Sequence, residues 1–592
     1  MGVTRRLGGA LLLVGVIGAG YVTGDAPPAS AGGQDQSRPN VVVVMTDDQT
    51  QDSMRYMRRV NSLIGAEGAT FPVSVTSWPL CCPSRATFMT GQYAHNHGVF
   101  GNGPPLGGFE RLKTAETLPV WLQRAGYYTA HVGKFLNGYE SSSVGIPPGW
   151  SEWLGTKRTY TFYGATVLEN GRPVTYGSTD EDPDAPARPA TYSTDVFTDK
   201  AVELINRRAP ATEPFFLSLA YLAPHSGGPD SESNPSRCQD SAKPAARHLR
   251  AFGSEPLPTP PNFNEADVSD KPGGVSDRPF LTPAQIGTAR RFYRCRARSL
   301  LAVDEGVERI VSALHASGEL DDTLIVFTSD NGYFHGEHRI MTGKNRVYEE
   351  SIRVPLLMRG PGIPKGVTVD DISVNADLAP TILDAANAEP GVAQDGRSLL
   401  PFARHPERRR GRELLLEQAS GSGDDGGSNG VFYSAVRTAR YKYVENANGD
   451  LELYDLDADP YELVNQQGNP VYDGAQAALA ARLAALRACA GPGCRTKPAL
   501  ELDLPRSVRE QGRSCRRARG FTAHVRGADA AAVARVTFRV GAKRAGRDTG
   551  RPLKQRFAAR LLRRKAPPEI RAIAELVDGR ELSLQRKVRI CD

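Results

Sequence analysis

The chain has 592 residues, of which 40% are hydrophobic and 23% charged. This composition is ordinary for a globular protein and excludes a disordered or fibrous chain. At roughly 100–200 residues a domain, the length allows one large α/β domain with additions or three to four smaller domains. Either arrangement is large enough to bury a sizeable core.

The net charge of +7 is unevenly distributed along the chain. Residues 501–592 hold 24 Lys and Arg against 10 Asp and Glu, a net +14, so residues 1–500 carry −7. A basic segment on an acidic body indicates contact with a polyanion or an anionic cell surface, or simply a solvated Arg-rich surface. No nucleic-acid-binding motif accompanies the charge, so no nucleic-acid partner is expected.

Residues 1–31 have the layout of a signal peptide. Arg5 and Arg6 precede the apolar run "LGGALLLVGVIGAGYV", and the small residues 29–31 form a cleavage site. The run is short for a membrane span of about 20 residues, which favours a cleaved signal over an uncleaved anchor. We expect a secreted or cell-surface protein with no transmembrane segment after cleavage. The arginine pair is also compatible with twin-arginine export.

Short apolar runs that alternate with helical patterns predict an α/β domain. The runs predicted as buried strands are 40–46, 128–136, 214–222 and 323–329. The segments predicted as helices are 117–126, 194–209 and 293–318. This alternation favours a three-layer domain with a mostly parallel sheet over residues 38–400. Residues 174–192 and 227–290, which are rich in Pro, Ser and Asp, are expected to be long surface excursions.

The pattern changes after about residue 400. The stretches "GVFYSAVRTARYKYVEN" and "LELYDLDADPYE", followed by a helical run over 475–490, predict a smaller C-terminal α+β subdomain over 401–490. Residues 500–592 alternate in polarity, as in "RVTFRVGAK", and predict a basic β-rich accessory domain resembling a small β-sandwich.

Eight cysteines in an exported chain permit disulfide bonds. Connectivity does not follow from sequence alone, so the pairing stays a hypothesis. The pairs expected from position are Cys238 with Cys295, Cys489 with Cys494, and Cys515 with Cys591. This pairing uses six of the eight cysteines and does not include the adjacent Cys81 and Cys82.

Polar residues follow the predicted strands where each one ends. In chain order they are Asp47, Asp48, Lys134, His225, Asp330 and Asn331. Open parallel sheets bind ligands outside the carboxyl ends of their strands, so we expect these side chains to converge on one rim. The two aspartates of the first strand, with Asp330 and Asn331, would supply hard oxygen ligands suited to Ca²⁺ or Mg²⁺. A single such pair would be a helix cap or turn, and no cysteine or histidine spacing indicates zinc.

Cys81 has three interpretations from its neighbours alone: a reactive thiolate, half of a vicinal disulfide, or a buried structural cysteine. Pro83 favours a first helical turn after it. The positive end of a helix and the nearby Arg85 would lower the thiol pKa and attract an anion. From these residues alone, the buried structural cysteine is the favoured interpretation of the three.

The wider context of Cys81 is more specific. The run Cys81-Cys82-Pro83-Ser84-Arg85, followed by Thr90-Gly91, resembles the C-x-P-S-R…T-G signature of the sulfatases. In that family the first cysteine is oxidised enzymatically to Cα-formylglycine (3-oxoalanine). Further similar stretches follow in the family's order and extend the resemblance over about residues 38–465. They are "VVVVMTDDQ", "GKFLNGY", "APHS", "TSDNGYFHGEHR", "VYEESIRVPLLMRGPGI" and "NADLAPTILDAAN". Within the family, the N-acetylglucosamine-6-sulfatase branch is most similar through "GKFLNGY", "EPFFLSLAYLAPHS" and "SDNGY".

The resemblance implies an alkaline-phosphatase-like fold and an exported sulfatase. Its substrate would be a sulfated carbohydrate, such as N-acetylglucosamine-6-sulfate, or a small sulfate ester such as an aryl sulfate. Maturation would require a formylglycine-generating enzyme. The implied ligands of Ca²⁺, with Mg²⁺ as the other possibility, are Asp47, Asp48, modified Cys81, Asp330 and Asn331.

The resemblance also implies the roles of individual residues. One hydroxyl of the hydrated aldehyde at position 81 would attack the sulfate sulfur, and the second would later expel sulfate. Arg85 would help to acidify and orient the attacking hydroxyl. Lys134 and Lys344 would bind sulfate oxygens, and His225 would protonate the leaving alcohol.

One departure from the family pattern concerns the lysine motif. Many sulfatases have a histidine two residues after the lysine that corresponds to Lys134, where this chain has Leu136 and then Asn137. Asn137 can form hydrogen bonds but cannot act as a base. The histidines at 131, 335 and 338 are expected to be structural or surface residues, and those at 95 and 97 to support the Cys81 helix.

Two alternatives to a sulfatase remain. One is a phosphonate or phosphate ester hydrolase of the same superfamily, which would share the metal frame. The other is a non-catalytic surface-binding relative, against which the intact run from Cys81 to Arg85 argues.

Overall fold

The computed structural model describes residues 38–157, 159–177, 192–209, 211–228, 238–418, 433–505, 508–510, 513–515, 520–558, 561 and 569–588. The predicted signal peptide and the predicted pairing of Cys515 with Cys591 lie outside these residues. Two other predicted disulfides are confirmed, Cys238–Cys295 and Cys489–Cys494. None of the described helices combines the length and apolar character needed to cross a bilayer.

The first part of the chain alternates strands and helices. Its strands are β1 (Asn40–Thr46), β2 (Ala69–Thr70), β3 (Ser74–Val75), β4 (Tyr128–Gly133), β5 (Glu152–Thr156), β6 (Ala165–Glu169), β7 (Arg172–Tyr176), β8 (Phe215–Ala220), β9 (Thr323–Ser329), β10 (Leu356–Arg359), β11 (Val367–Thr368) and β12 (Ser373–Val374). Its helices are α1 (Arg58–Val60), α2 (Cys81–Thr90), α3 (Ala94–His97), α4 (Leu118–Arg124), α5 (Ser193–Arg208), α6 (Pro283–Ala316), α7 (Glu349–Ile352), α8 (Leu378–Ala386) and α9 (Leu400–Ala403).

The central sheet has ten strands within the described residues, in the order β11-β2-β10-β9-β1-β8-β4-β5-β6-β7. The five strands β9, β1, β8, β4 and β5 run parallel, whereas β10 and β6 join them antiparallel. The four strands predicted from apolar runs are all among these parallel strands. Continuous apolar sequence suits them because parallel strands are covered on both faces.

Successive residues of β1 enter opposite cores. Val41 and Val43 pack with α2, α4 and α8 on one face of the sheet. Val42 and Val44 pack with α5 and α6 on the other face. This alternation follows from the two-residue period of a strand and makes the domain three-layered. The predicted fold class is therefore confirmed.

Helix α6 begins earlier than the sequence pattern predicted. The prediction started the helix at residue 293, but it starts at Pro283, inside the segment assigned to a surface excursion. Thr282 caps it: its side chain accepts from the Gln285 amide, and the Gln285 side chain accepts from the Thr282 amide. This reciprocal pair satisfies two N–H groups that would otherwise lack partners. The signal "TPAQ" was present in the sequence, with Pro at the first helical position.

The second part is an antiparallel sheet covered by one helix. Its strands, in sheet order, are β13 (Leu414–Gln418), β14 (Tyr433–Arg437), β15 (Tyr441–Asn446) and β16 (Leu451–Asp455), and the helix is α10 (Asp473–Leu486). Leu479 and Leu483 of α10 pack in the core with Leu415 and Val436 of the sheet. The predicted α+β character is confirmed.

The last part consists of β-strands. They are β17 (Glu501–Asp503), β18 (Val508–Glu510), β19 (Arg513–Cys515), β20 (Phe521–Arg526), β21 (Val533–Val540), β22 (Lys543–Asp548), β23 (Lys554–Phe557), β24 (Glu569–Leu576) and β25 (Glu581–Lys587). The sheets β17-β20-β23 and β22-β21-β24-β25 share one apolar core, in which Val525 and Phe557 pack with Val536 and Ile570. Two sheets around one core agree with the predicted sandwich-like character. Since Arg38–Asp592 forms one compact unit, the domain boundaries remain predictions.

The cap of α6 leads to a testable expectation. Replacing Thr282 by Ala removes the acceptor of the Gln285 amide, and the loss of such a cap costs about 1 kcal/mol. Amide hydrogen exchange of the first turn of α6 should then become about fivefold faster, while exchange in α5 stays unchanged. Thr282→Ser keeps a hydroxyl and is the matched control. Equal exchange in the Ala and Ser variants would contradict the capping role.

Candidate active site

The polar residues that follow the parallel strands meet at one edge of the central sheet, as predicted. Asp47 and Asp48 follow β1, Lys134 follows β4, and Asp330 follows β9. All four side chains are at most 2% exposed. Asp48 has a positive φ of 65°, which is uncommon for a residue other than glycine and is found where a site imposes a backbone conformation.

Helix α2 brings Cys81 to this edge. Leu80 is extended, and Cys81 is the first residue of a helix whose ten residues are all buried. The hydroxyl of Ser84 donates to the Asp330 carbonyl over 2.5 Å and accepts from the Asn375 amide over 3.0 Å. The serine of the signature therefore anchors α2 to the end of β9.

The Cys81 sulfur lies among charged groups. Lys344 Nζ is 2.8 Å from Sγ, and Asp47 Oδ1 is 3.4 Å from it. Burial, aided by the Asp47 carboxylate, raises the pKa of the Cys81 thiol well above its usual value. The expectation that this pKa is lowered is wrong, because desolvation outweighs the neighbouring cations that oppose it, Lys134 and Lys344. Cys81 and Cys82 are both free thiols, which excludes the vicinal disulfide.

Arg85 connects three strand ends to α2. Its Nε is 2.8 Å from Asp330 Oδ2, and its Nη2 is 3.5 Å from Asp47 Oδ2. Its Nη1 donates to the Lys134 carbonyl over 2.8 Å. Burial opposes the charge of Arg85, but the two carboxylates outweigh burial and raise its pKa. The guanidinium therefore remains charged within the protein.

The side chains of Lys134 and Lys344, which were predicted to bind sulfate, both reach the aspartates that follow β1. Lys134 Nζ pairs with Asp47, and Lys344 Nζ lies 2.6 Å from Asp48 Oδ1. The two side chains are 1% and 5% exposed. Burial disfavours their charge, yet the neighbouring aspartates raise the pKa of each. Two ammonium groups are thus held at a buried site by carboxylates from β1.

The carboxylates fit a divalent cation with oxygen ligands. Asn331 Nδ2 donates to Asp48 Oδ1 over 2.7 Å, while the Asn331 Oδ1 atom is buried with no hydrogen-bond partner in the described part of the chain. Asp47, Asp48, Cys81 and His225 each offer an atom within 4.8 Å of the others. Of these, the carboxylates of Asp47 and Asp48 are hard oxygen donors, which match Ca²⁺ or Mg²⁺, whereas Cys81 offers sulfur and His225 offers nitrogen. The orphaned amide oxygen is the observation that favours an ion here.

His225 faces the same cluster from the segment after β8. Its Nδ1 lies 2.7 Å from the Ser226 carbonyl, which makes Nδ1 the donor, and its Nε2 lies 3.6 Å from Asp48 Oδ2. Burial lowers the pKa of His225, although the aspartates oppose this shift. The ring therefore presents Nε2 to the site.

Two residues of the site were missed by the sequence reasoning. Tyr160 accepts a hydrogen bond from Asn137 Nδ2 over 2.7 Å, and its ring lies 5.2 Å from Lys134 Nζ and 5.0 Å from the His225 ring. Arg296, from α6, donates to the carbonyl of Asp48. Tyr160 lies in "RTYTFYG" and Arg296 lies in a long helix. Neither stretch carries a motif that marks these positions.

Packing explains why this chain has Leu136 where many sulfatases have a histidine. Leu136 is 2% exposed and belongs to the apolar core below the sheet. Its neighbour Asn137 is the polar residue that faces Tyr160. A leucine here therefore serves the core, and the polar contact passes to the next residue.

The other predicted structural histidines are confirmed as such. His131 is buried against Trp153 and Phe135, and burial lowers its pKa to about 3. His338 lies 2.6 Å from Glu265, and His97 braces α2 by a 3.0 Å contact with Thr87. His335 is also buried, beside Tyr293 and Tyr333. His95 lies 2.9 Å from Glu417.

Comparison with known proteins points to one family. Residues 39–388 match the Sulfatase family, and residues 336–489 match the C-terminal region of N-sulphoglucosamine sulphohydrolase. The N-acetylglucosamine-6-sulfatase of Homo sapiens is 32% identical over 78% of this chain and 86% of its own length. The arylsulfatase of Volvox carteri is 34% identical over 77% of this chain and 76% of its own length. A putative extracellular sulfatase Sulf-1 homolog of Caenorhabditis elegans is 35% identical over 64% of this chain, which spans only about half (51%) of that relative.

Solved structures agree with this assignment. One solved structure contains a protein in complex with its substrate D-glucosamine-2-N,6-O-disulfate, and that protein is 25% identical to this chain. The match covers 76% of this chain and 97% of the other chain, with a TM-score of 0.62. A phosphonate monoester hydrolase of Agrobacterium radiobacter, 24% identical over 76% of this chain and 96% of its own with a TM-score of 0.55, shows the fold alone. The match over residues 39–388 and the relatives aligned over most of both chains show the family: this chain belongs to the sulfatases and is a sulfuric ester hydrolase.

Proposed function

We propose that the protein is an exported sulfatase that removes sulfate from sulfated sugars, with the 6-O-sulfate of N-acetylglucosamine as the target. The observation that carries the proposal is Cys81 at the first turn of α2, in contact with Lys344 and Asp47. The N-acetylglucosamine-6-sulfatases among its relatives support the sugar. The apolar run in residues 1–31 and the extracellular sulfatases among its relatives support export.

In the mature enzyme, Cys81 is proposed to be converted to formylglycine by a formylglycine-generating enzyme. The Cys81 thiol marks the place of that group. The hydrated aldehyde supplies a hydroxyl nucleophile for sulfur and a second hydroxyl whose ionisation releases sulfate. The Cys82 sulfur instead lies 3.9 Å from the Asn137 carbonyl, so it is not directed at the charged cluster.

Calcium is the proposed ion of the site, with magnesium as the other possibility. Asp47, Asp48, Asp330 and Asn331 would hold it together with the modified residue 81. It would supply positive charge beside the sulfate group. The acidic side chains and the free amide oxygen of Asn331 support this ligand set.

The charged side chains divide the remaining tasks. Lys134 and Lys344 bind sulfate oxygens and stabilise the charge that develops on them, because they are held at the rim by Asp47 and Asp48. Arg85 fixes the orientation of Asp47 and favours the ionised form of the nucleophile. His225, in its doubly protonated form, donates the Nε2 proton to the leaving alcohol while its Nδ1–H stays on the Ser226 carbonyl, and the product is a neutral ring with Nε2 unprotonated.

Tyr160 and Asn137 are proposed to replace the missing histidine as positioning residues. The Tyr160 ring lies beside Lys134, and its hydroxyl holds the Asn137 amide. A cation near an aromatic face is attracted by its quadrupole, so the ring restricts where the ammonium group lies. Neither residue is a base at neutral pH, so the histidine's proton-accepting role is not reproduced.

Tyr160 variants test this positioning role. Tyr160→Phe keeps the ring near Lys134 and loses one hydrogen bond, so kcat should fall about tenfold or less. Tyr160→Ala loses both contacts and should lower kcat about a hundredfold, with KM changed less than kcat. Tyr163→Phe, which keeps the ring and removes the hydroxyl that donates to the Pro244 carbonyl, is the matched control. If the Tyr163 and Tyr160 variants lost activity equally, the role would be disproved.

Mass spectrometry of the peptide that contains Cys81 tests the modification. In protein from its native host, residue 81 should have lost sulfur and gained an aldehyde oxygen, while Cys82 keeps its thiol. Cys82→Ser should still be modified at position 81, and Cys81→Ser should lack the aldehyde and lose activity. An unmodified Cys81 in fully active native protein would exclude the formylglycine mechanism.

A substrate panel tests the proposed reaction. Matched sulfate and phosphate esters of one aryl alcohol should show higher kcat/KM for sulfate, as membership of the sulfatase family implies. N-acetylglucosamine-6-sulfate should be hydrolysed faster than glucose-6-sulfate if the amide of the sugar is recognised. A higher kcat/KM for every phosphate or phosphonate ester than for its sulfate counterpart would instead favour a phosphonate or phosphate ester hydrolase of the same superfamily.

A further inference from the structure

A second cavity lies away from the catalytic cluster, where the last β-rich part meets the chain before β13. Its volume is about 520 Å³. It is lined by residues 408–410, residues 497–501, Gly527, Ala528 and residues 582–585 of β25. We call it the seam cavity. No residue of the catalytic cluster lines it.

Backbone contacts and a nearby ion pair hold the walls of the seam cavity together. Arg410 and Leu582 form an antiparallel bridge, and the Ser583 amide donates to the Arg409 carbonyl over 2.8 Å. Beside it, Arg580 Nη1 lies 3.3 Å from Glu413 Oε2, with both side chains under 10% exposed. A cavity between fixed walls is preformed, so binding there requires little reorganisation.

The cavity carries unneutralised positive charge. Arg409 is paired with Asp370 over 2.5 Å and lies 3.7 Å from Glu581. By contrast, Arg408, Arg410 and Lys497 have no side-chain ion pair or hydrogen bond among the described residues. Glu501 is the acidic residue of the described lining.

A further polar group of the wall also lacks a partner. The Ser583 Oγ atom is buried and makes no hydrogen bond with the described protein atoms. Protein atoms enclose this hydroxyl, so the polar character of the cavity surface comes from the three free cations. Positive charge in one concave space indicates an anionic ligand.

We propose that the seam cavity binds a sulfated stretch of an anionic polysaccharide, at a site separate from the catalytic centre. The choice of a sulfated sugar chain rests on the proposed function. The volume lies within the roughly 300–1,000 Å³ of ligand sites and exceeds what a single inorganic ion needs. A concave site does not match a flat bilayer, and the described lining has no aromatic side chain on which a nucleobase could stack.

The chain connects this cavity to the catalytic site. Strand β13 follows the cavity residue Arg410, and the Glu417 amide in that strand donates to the Ser77 carbonyl over 2.8 Å. Seven extended residues span at most about 25 Å, so Arg410 and the segment just before Cys81 are within about 30 Å. One polysaccharide chain is long enough to bridge such a distance, and holding it at the seam would raise its local concentration at the catalytic site.

The experiment measures binding of a size-defined heparin octasaccharide to the full chain carrying Cys81→Ala, so that no turnover occurs. The test variant carries Arg408→Ala, Arg410→Ala and Lys497→Ala. Calorimetry at physiological salt should show binding weakened about tenfold, as expected for three exposed charge pairs. The salt dependence of the binding constant should also become shallower, because fewer counterions are released.

The matched control removes the same charge elsewhere. Lys543→Ala, Arg544→Ala and Arg547→Ala lie on β22, an edge strand on the opposite side of that sheet from β25, and all three side chains are exposed. Octasaccharide binding by this variant should change less than twofold. Equal weakening in both variants would show a general charge effect and overturn the proposal. Thermal unfolding checks folding, and the single variant Lys497→Glu serves if the triple variant is unstable.

Two further arms separate the alternatives. Duplex DNA and vesicles of anionic lipid should bind more weakly than the octasaccharide at the same salt, and tighter binding of either through the same three residues would overturn the polysaccharide assignment. With Cys81 restored and modified, the triple variant should hydrolyse a small aryl sulfate normally and show a raised KM only for sulfated polymer. If the small ester is not hydrolysed by the unaltered protein, the proposed function fails while the binding result stands.

Discussion

The buried guanidinium of Arg85 is the constraint on which the catalytic site depends. It contacts carboxylates that follow two different strands, Asp47 and Asp330, and the carbonyl of Lys134 after a third. A buried charge must be compensated, and removing one partner of such a network leaves the others uncompensated. The position of α2 is therefore coupled to the ends of β1, β4 and β9. Cys81 lies four residues before Arg85 on the same helix, so the contacts of Arg85 also fix where Cys81 lies.

The electrostatic balance of the site follows from this coupling. Three aspartates face Arg85, Lys134 and Lys344, so the buried cluster is close to neutral before any ligand binds. A divalent cation and an anionic sulfate add charges of opposite sign, which allows both to enter a dry site together. The same burial makes the Cys81 thiol a poor acid. The proposed conversion of the cysteine to an aldehyde would place a hydroxyl nucleophile at the same position.

The chain distributes recognition over more than the catalytic cluster. Leu136 takes the sequence position where the family pattern has a histidine and packs in the core, while the next residue, Asn137, donates to Tyr160 beside Lys134. At the other end of β13, the seam cavity joins the body of the enzyme to its basic last part. The cations that line the cavity, at 408–410 and 497, precede residues 501–592, so none of the excess positive charge of that last segment lies in the described lining.

The sequence by itself determined the elements whose signals are local. Continuous apolar runs identified four of the five parallel strands, β1, β4, β8 and β9, because buried parallel strands need no polar alternation. The signature around Cys81, with the Asp47-Asp48 pair after β1 and the Asp330-Asn331 pair after β9, predicted the candidate site. The two pairs lie at strand ends that a parallel sheet brings together. Only the tertiary structure decided the direction of the Cys81 pKa, because desolvation depends on which atoms surround the thiol. It also decided the roles of Tyr160 and Arg296 and the existence of the seam cavity. These features are contacts between segments far apart in the chain, and no periodicity or short motif encodes such contacts.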